Sequence, residues 1–332
     1  MRELSLAQYA EKYRDSHVPP EGRCTLAESE ASDFRLPKRA PDTHKYSYGR
    51  ALVIAGSRGY TGAPVLAANA CERSGAGLTR LLVPVCIYPV AALKADGAVV
   101  TPLEEAADGT ASAGAIPEVL AYLQTANACV IGPGLGAGEG VRALVRAVVQ
   151  NAACPLILDA DALTVCAGEP ALLRQCRAPL ILTPHAGEFR RLGGDLTEGR
   201  LAGALQFTRE YPNLTLILKG CGTLVCRGGD VSVNPTGGPA MAKGGAGDVL
   251  CGILCALLAQ GFAPDFAARC GVWLHGLAGE LCARDLGEYS VTPSDLIRRL
   301  PQAFMALQGQ KPGVPQESNR PGGFKEDSSL RC

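Results

Sequence analysis

Asn234-Pro-Thr-Gly-Gly-Pro-Ala-Met-Ala-Lys-Gly-Gly-Ala-Gly-Asp248, followed by the apolar run Val249 to Leu258, is the stretch on which the fold turns. Glycines at 244, 245 and 247 leave backbone N–H groups unobstructed directly before a helix, where unpaired amides and the macrodipole favour an anion. Gly244, Gly245, Ala246 and Gly247 therefore read as a phosphate loop. Asp248 stands at the helix start, close to any bound phosphate. It has two readings, an N-terminal cap or a general base beside a phosphoryl acceptor. A cap needs no such glycine-dense approach, which favours the base.

Outward from this loop, short apolar runs alternate with helical patterns. Ala51–Ala55, Leu78–Val83, Ala128–Ile131, Leu156–Leu158, Leu180–Leu182, Leu214–Leu218 and Thr223–Cys226 read as strands. Ala63–Ser74, Gly140–Gln150 and Leu201–Tyr211 read as helices between them, and Asp248–Gln260, Pro264–Arg284 and Pro293–Ala306 turn the C-terminal part helical. Continuous apolar strands alternating with helices predict an α/β fold, a central, mostly parallel sheet covered by helices on both faces. Residues 1–45 are polar and carry four prolines, so they read as an N-terminal extension with one helix near Leu4 to Tyr13. Residues 46–308 form one domain, and residues 309–332, rich in Gly, Pro, Ser and charge, read as a disordered tail.

Composition removes several function classes. Of the residues, 47% are hydrophobic and 19% charged, which excludes disorder as the main state. Thirty-two basic residues balance thirty-two acidic ones, no Lys/Arg run occurs and aromatics are 5%, so no nucleic-acid surface is expected. The longest apolar stretches are roughly ten residues, against the ~20 needed to span a bilayer. Met1 to Asp15 is charged throughout and lacks the apolar core of a secretory signal, so a cytoplasmic protein without a membrane partner is expected. The fourteen cysteines are scattered without CxxC spacing and read as small core residues.

Other strand ends carry further candidates. Gly132-Pro-Gly-Leu-Gly136 is a glycine turn after Cys129–Ile131, at the sheet end where open α/β folds bind ligands. Leu156-Ile-Leu-Asp-Ala-Asp-Ala-Leu163 puts two carboxylates just past a buried strand, with Asp159 at that edge, where phosphate and Mg²⁺ would sit; Asp161 is either a second site carboxylate or a cap of the next helix. In Leu182-Thr-Pro-His-Ala-Gly-Glu-Phe189, Pro184 ends a strand and presents His185. Glu188 is either a Mg²⁺ or phosphate contact or a first-turn helix carboxylate. Leu218-Lys-Gly-Cys-Gly-Thr223 connects two strands; Lys219 offers a point charge for phosphate, and an ordinary hairpin is the plain alternative. Ala55-Gly-Ser-Arg-Gly-Tyr-Thr-Gly-Ala-Pro64 is a further glycine-rich strand-to-helix loop. His275 reads as a core or interface residue. Neither a Walker A sequence nor a well-placed Gly-x-Gly-x-x-Gly occurs.

In this order, these segments resemble the ribokinase-like superfamily, and within it the ADP-dependent NAD(P)H-hydrate dehydratases. The carrying stretches are Thr43-His-Lys-Tyr-Ser-Tyr-Gly49, Val53-Ile-Ala-Gly-Ser57, Tyr60-Thr-Gly-Ala63, Ser74-Gly-Ala-Gly77, Gly132–Gly136, Leu158–Leu163, Thr183–Glu188, Lys219–Thr223 and Asn234–Asp248. The resemblance implies dehydration of hydrated NADH or NADPH with ADP as co-substrate and Mg²⁺, releasing AMP and phosphate. It implies that Asp248 is the catalytic base and that Ala63, Gly134, His185 and Asp248 contact the hydrated dinucleotide. Lys219, Gly220, Cys221, Gly222, Thr223 and Gly247 would contact ADP or AMP. Related enzymes are often oligomers, so a homo-oligomer such as a tetramer is expected, with the apolar, Cys-containing Pro264–Arg284 as a candidate interface. Two segments depart from the common family pattern: Tyr60-Thr-Gly-Ala63 stands where Met-Pro-Gly-Ala is frequent, and Ala246-Gly-Asp248 where Thr-Gly-Asp is common. The family also occurs fused to an epimerase domain; the extension is too short for one, so a stand-alone dehydratase is expected. The competing expectations are a ribokinase-like kinase of a small alcohol, which shares the loop and the base, and a nucleotide-binding sensor without turnover.

Overall fold

In the computed structural model, which describes residues 1–15 and 25–309, one eleven-stranded sheet organises the chain. Its strands are β1 (Arg2–Glu3), β2 (Thr25–Glu28), β3 (Arg50–Ile54), β4 (Leu78–Pro84), β5 (Val99–Leu103), β6 (Ala128–Ile131), β7 (Leu156–Leu158), β8 (Leu180–Leu182), β9 (Leu214–Leu218), β10 (Thr223–Arg227) and β11 (Asp230–Asn234). The spatial order is β1-β2-β11-β10-β9-β8-β7-β6-β3-β4-β5. From β9 to β5 every neighbouring pair is parallel. The β9–β10 and β10–β11 pairs are antiparallel, and β2 lies parallel to β11.

Strand alternation divides the core into two layers. Leu52 and Ile54 of β3 join one buried cluster while Ala51 and Val53 join the other, and Leu156 and Leu158 of β7 lie opposite Ile157. Both faces are therefore apolar, as expected for strands covered on both sides. Helices Ile116–Leu123, Glu139–Asn151, Ala160–Gly168 and Arg200–Arg209 cover one face. Gly62–Arg73, Ala246–Ala259, Pro264–Leu286 and Pro293–Leu307 cover the other. Ala246–Ala259 is buried nearly all round, because it is wedged between the sheet and its neighbouring helices.

The N-terminal extension departs from expectation. Its helix is present at Leu6–Tyr13, opened by a Ser5/Gln8 capping box. The same segment also supplies β1 and β2, which extend the sheet beyond β11. Their two and four residues are too short for a periodic signal, and in β2 Leu26 is the residue that enters the core. β5 and β11 are further strands that the sequence reading left out: Pro102 interrupts the first, whereas Val231 and Val233 alternate with Asp230, Ser232 and Asn234 in the second, a period-2 signal that a search for continuous apolar runs passes over. The expected tail at 309–332 lies, apart from Gly309, outside the described residues. The apolar residues of Pro264–Leu286 that suggested an interface, Cys270 and Cys282 among them, are buried within the chain itself. Ten of the twelve cysteines among the described residues are buried. Among the described residues, no helix is long and apolar enough to cross a membrane.

Candidate active site

The sequence candidates gather along the C-terminal edge of the parallel strands, where each strand releases its chain into a loop. Asp159 follows β7 and is 2% exposed. Its Oδ1 accepts from Thr183 Oγ1 at 2.7 Å and from Lys219 Nζ at 2.9 Å, so the ends of β7, β8 and β9 are tied at one carboxylate. Burial alone would raise the Asp159 carboxyl, but Lys219 and Thr183 outweigh it and hold the group below its usual range. Burial likewise works against the Lys219 ammonium, yet Asp159, Cys251 and Glu188 keep it above the ordinary lysine value. Glu188 Oε2 is 3.9 Å from the same ammonium.

His185 and Glu188 hold each other. The helix Ala186–Arg191 begins at His185, whose Nδ1 accepts from the amides of Gly187 at 2.9 Å and Glu188 at 3.2 Å. The ring proton is therefore on Nε2, which lies 3.6 Å from Glu188 Oε2. Glu188 Oε2 in turn accepts from the His185 amide at 2.8 Å. Glu188 is thus a first-turn carboxylate, as one of its two readings had it, and it also faces Lys219. Asp161 is not a helix cap: its Oδ2 accepts from the Gly136 amide at 2.8 Å, joining the β7 loop to the glycine turn after β6. Burial, and then the charges of Glu188 and Asp159, push its carboxyl up against the opposing Gly136 amide.

The glycine turn also meets the first loop. Gly134 has φ +63°, and a Cβ there would lie 2.9 Å from Tyr60 Cβ and 3.3 Å from Ala63 Cβ. Only a residue without a side chain fits so close an approach at that backbone angle. Gly134, Tyr60 and Ala63 consequently form one surface, and Ser57 Oγ donates to the Gly134 carbonyl at 2.8 Å.

Across the edge from them lies the head of the long buried helix. Gly245, at φ +97°, precedes its first residue, Ala246. The Gly247 and Asp248 amides have no acceptor among the described residues, as the open first turn of a helix requires. A Cβ on Gly247 would be 3.4 Å from Lys219 Nζ and 3.9 Å from Asp159 Oδ2, so the loop faces the buried ion pair directly. The Asp248 carboxylate makes no hydrogen bond among the described residues. Burial and then the nearby charge of Asp159 push its pKa up to about 7, against the opposing pull of Lys219. A carboxyl with that value accepts a proton at neutral pH far more readily than an ordinary aspartate.

Beside the helix head opens a cavity of about 600 Å³. Lys219, Gly220, Cys221, Gly222 and Thr223 line one wall, Asn234 to Pro239 another, and Ala246, Gly247 and His275 the floor. The 219–223 segment is the β9–β10 hairpin turn, with Thr223 Oγ1 donating to the Gly220 carbonyl at 2.9 Å, so it is both hairpin and cavity wall. His275, expected in the core or at an interface, is buried in the floor of this cavity. Burial lowers its pKa to about 4, which keeps the ring neutral, and its Nε2 has no partner among the described residues. Sequence reasoning passed over Thr183, which the Thr-Pro-His segment contains, and Cys251, one turn below Asp248 and within reach of Asp159. Tyr13 also lines the cavity, and nothing in its local sequence signals this.

Among the described residues, no group of three or more His, Cys, Asp or Glu side chains could hold a metal ion. Asp159 and Glu188, which face Lys219, are the carboxylates at this edge that could contact a cation carried on phosphate oxygens.

Comparison with known proteins fits this architecture. Residues 51–302 match a family model described as NAD(P)H-hydrate dehydratase. The bifunctional NAD(P)H-hydrate repair enzyme of Thermofilum pendens is 38% identical over 278 residues, 82% of this chain and 53% of that protein. The chain thus spans about half the length of the curated relatives it matches. The ADP/ATP-dependent NAD(P)H-hydrate dehydratase from Bacillus subtilis, co-crystallised with ATP and Mg²⁺, superposes with a TM-score of 0.70. It is 32% identical and covers 82% of this chain and 94% of its own. A ribokinase-like superfamily protein from Enterococcus faecalis gives a TM-score of 0.73 at 26% identity, covering 85% of this chain and 96% of its own.

Proposed function

The chain belongs to the NAD(P)H-hydrate dehydratase family, and from that premise we propose that it dehydrates (6S)-NADHX and NADPHX to NADH and NADPH at the expense of ADP, releasing AMP and phosphate. In the first step Asp248 takes the proton of the 6-hydroxyl on the hydrated nicotinamide ring. That oxygen attacks the β-phosphorus of ADP, the bond from phosphorus to the bridging oxygen breaks, and AMP leaves. In the second step the C6–O bond breaks, a proton leaves the adjacent ring carbon, and the ring double bond forms as phosphate departs. The observation that carries this reading is Asp248: an unpaired carboxyl with a pKa near 7, on the first turn of a helix whose amides are open to an anion.

The remaining residues divide between the two substrates. The Gly247 and Asp248 amides, in the loop Gly244–Gly247, stabilise charge on the transferred phosphoryl group. Lys219, Gly220, Cys221, Gly222, Thr223 and Gly247 hold the nucleotide, and Ala63, Gly134 and His185 hold the hydrated dinucleotide. A Mg²⁺ carried on the nucleotide would neutralise phosphate charge, and Asp159 and Glu188 would be the residues to contact it. Ala246, where the family commonly carries Thr, leaves one hydroxyl fewer for that phosphate. A homo-oligomer accords with the family reading, and a monomeric mass by light scattering would overturn it.

Absorbance at 340 nm tests the reaction directly. Purified protein with hydrated NADH, Mg²⁺ and ADP should give a rise, with AMP and phosphate formed in equal amounts by chromatography. A rise with ATP alone, yielding ADP, would keep the dehydration and reassign the donor. Nucleotide consumption with a stable phosphorylated product and no rise would replace the dehydratase by a small-molecule kinase.

A further inference from the structure

We infer that Tyr13, on the N-terminal extension, is a nucleotide-contacting residue and that the extension completes the wall of the nucleotide cavity. The inference rests on the reading of the 600 Å³ cavity as the nucleotide site. Every other residue lining that cavity lies between His185 and Gly276; Tyr13 alone among the described residues comes from the extension.

The ring is held in the wall from several sides. Gly222 sits at φ +59°, and a Cβ there would fall 2.3 Å from Tyr13 Cδ1, so the nucleotide turn and the ring are in direct contact. The phenol donates to Glu28 Oε2 at 2.7 Å, and Glu28 is itself bound by Arg2 and Lys12. Tyr9 packs against the ring with centroids 5.4 Å apart. With its hydroxyl turned to Glu28, Tyr13 offers carbon surface to the cavity.

A second set of bonds ties the extension to the same turn. Asp15 accepts from the amides of Arg200 at 3.1 Å and Leu201 at 3.0 Å, and from Tyr9 Oη at 3.1 Å. The Arg200 guanidinium then donates to the carbonyls of Leu218 at 3.1 Å and Cys221 at 2.6 Å. On the opposite wall β2 pairs with β11, whose last residue, Asn234, opens the Asn234–Pro239 segment. The extension therefore braces both walls and places an aromatic ring between them. A half-buried aromatic beside a phosphate-binding turn suits a nucleotide base or ribose, which gains stacking or edge contact there.

Binding of MgADP to the full chain, by calorimetry, tests this with Tyr13→Phe and Tyr13→Leu. Tyr13→Phe should bind within about twofold of wild type. Tyr13→Leu, which fills the space without the ring, should weaken ADP about tenfold while leaving KM for hydrated NADH unchanged. Photolabelling with 8-azido-ADP should mark the peptide that contains Tyr13, a result that a purely structural role would not produce. Unchanged ADP affinity in Tyr13→Leu with no label on that peptide would overturn the inference and leave the proposed reaction standing. A wild-type chain that binds no nucleotide would overturn the reading of the cavity, and this inference with it.

Discussion

Two aspartates at the same sheet edge show opposite behaviour. Asp159 is nearly inaccessible, ion-paired with Lys219 and hydrogen-bonded by Thr183, and its carboxyl is held below the ordinary range. Asp248, close enough to feel the same two charges, makes no hydrogen bond among the described residues and is raised to about 7. Burial acts on both in the same direction; the partners decide the outcome. Asp159 therefore stays charged and fixes the ends of three strands. Asp248 is left able to take a proton. Carboxyls whose environments push their pKa values apart in this way divide the roles of anchor and base between them.

Exchanging the properties of these groups breaks the comparison most sharply at Asp248. Asp248→Asn should lower kcat by about 10²–10⁴, measured at 340 nm, while MgADP still binds. Lys219→Met leaves the Asp159 charge buried and unpaired, so it should cost about 3–5 kcal/mol of folding stability by urea titration. The double variant with Asp159→Asn should recover part of that loss, since the uncompensated charge is removed.

Linkage gives Asp248 a stability signature of the opposite sign. Its folded pKa lies above the unfolded one, so the native state holds a proton that the unfolded chain releases between about pH 4 and pH 7. Stability is lost as pH rises through that window. Asp248→Asn should therefore be more stable than wild type at pH 8, by up to about 4 kcal/mol, and the gain should vanish near pH 4. Thr183→Val is the mildest test: losing one hydrogen bond to Asp159 should cost about 1–3 kcal/mol and raise the pH at which acid unfolding begins.

The parallel part of the sheet was legible because its strands repeat one pattern. Runs such as Leu156–Leu158 and Leu180–Leu182 are apolar on both faces, and Asp159 after the first and Pro184 after the second mark where they end. The glycine loop, the helix it opens and the place of Asp248 on the first turn were legible for a related reason, since they are contiguous in the chain. What escaped depends on contacts between distant segments. β1 and β2 carry too few residues to show a period. Thr183 gains meaning only from Asp159 across the β7–β8 ladder, and Tyr13 only from Gly222, some two hundred residues away. Asp161 read as a local cap because its partner, the Gly136 amide, belongs to another loop. Pro264–Arg284 suggested an interface because an apolar helix carries no mark in the sequence distinguishing an internal partner from an external one, and many of its apolar residues pack inside the chain.

The division between anchor and base is tested most directly by titrating the carboxyl itself. Aspartate ¹³C-labelled at the carboxyl, followed by NMR in the nucleotide-free chain, gives a signal for Asp248 that is identified by its loss in Asp248→Asn. The account predicts a midpoint near pH 7 for that signal. A midpoint near 4, as for an ordinary exposed aspartate, would contradict it.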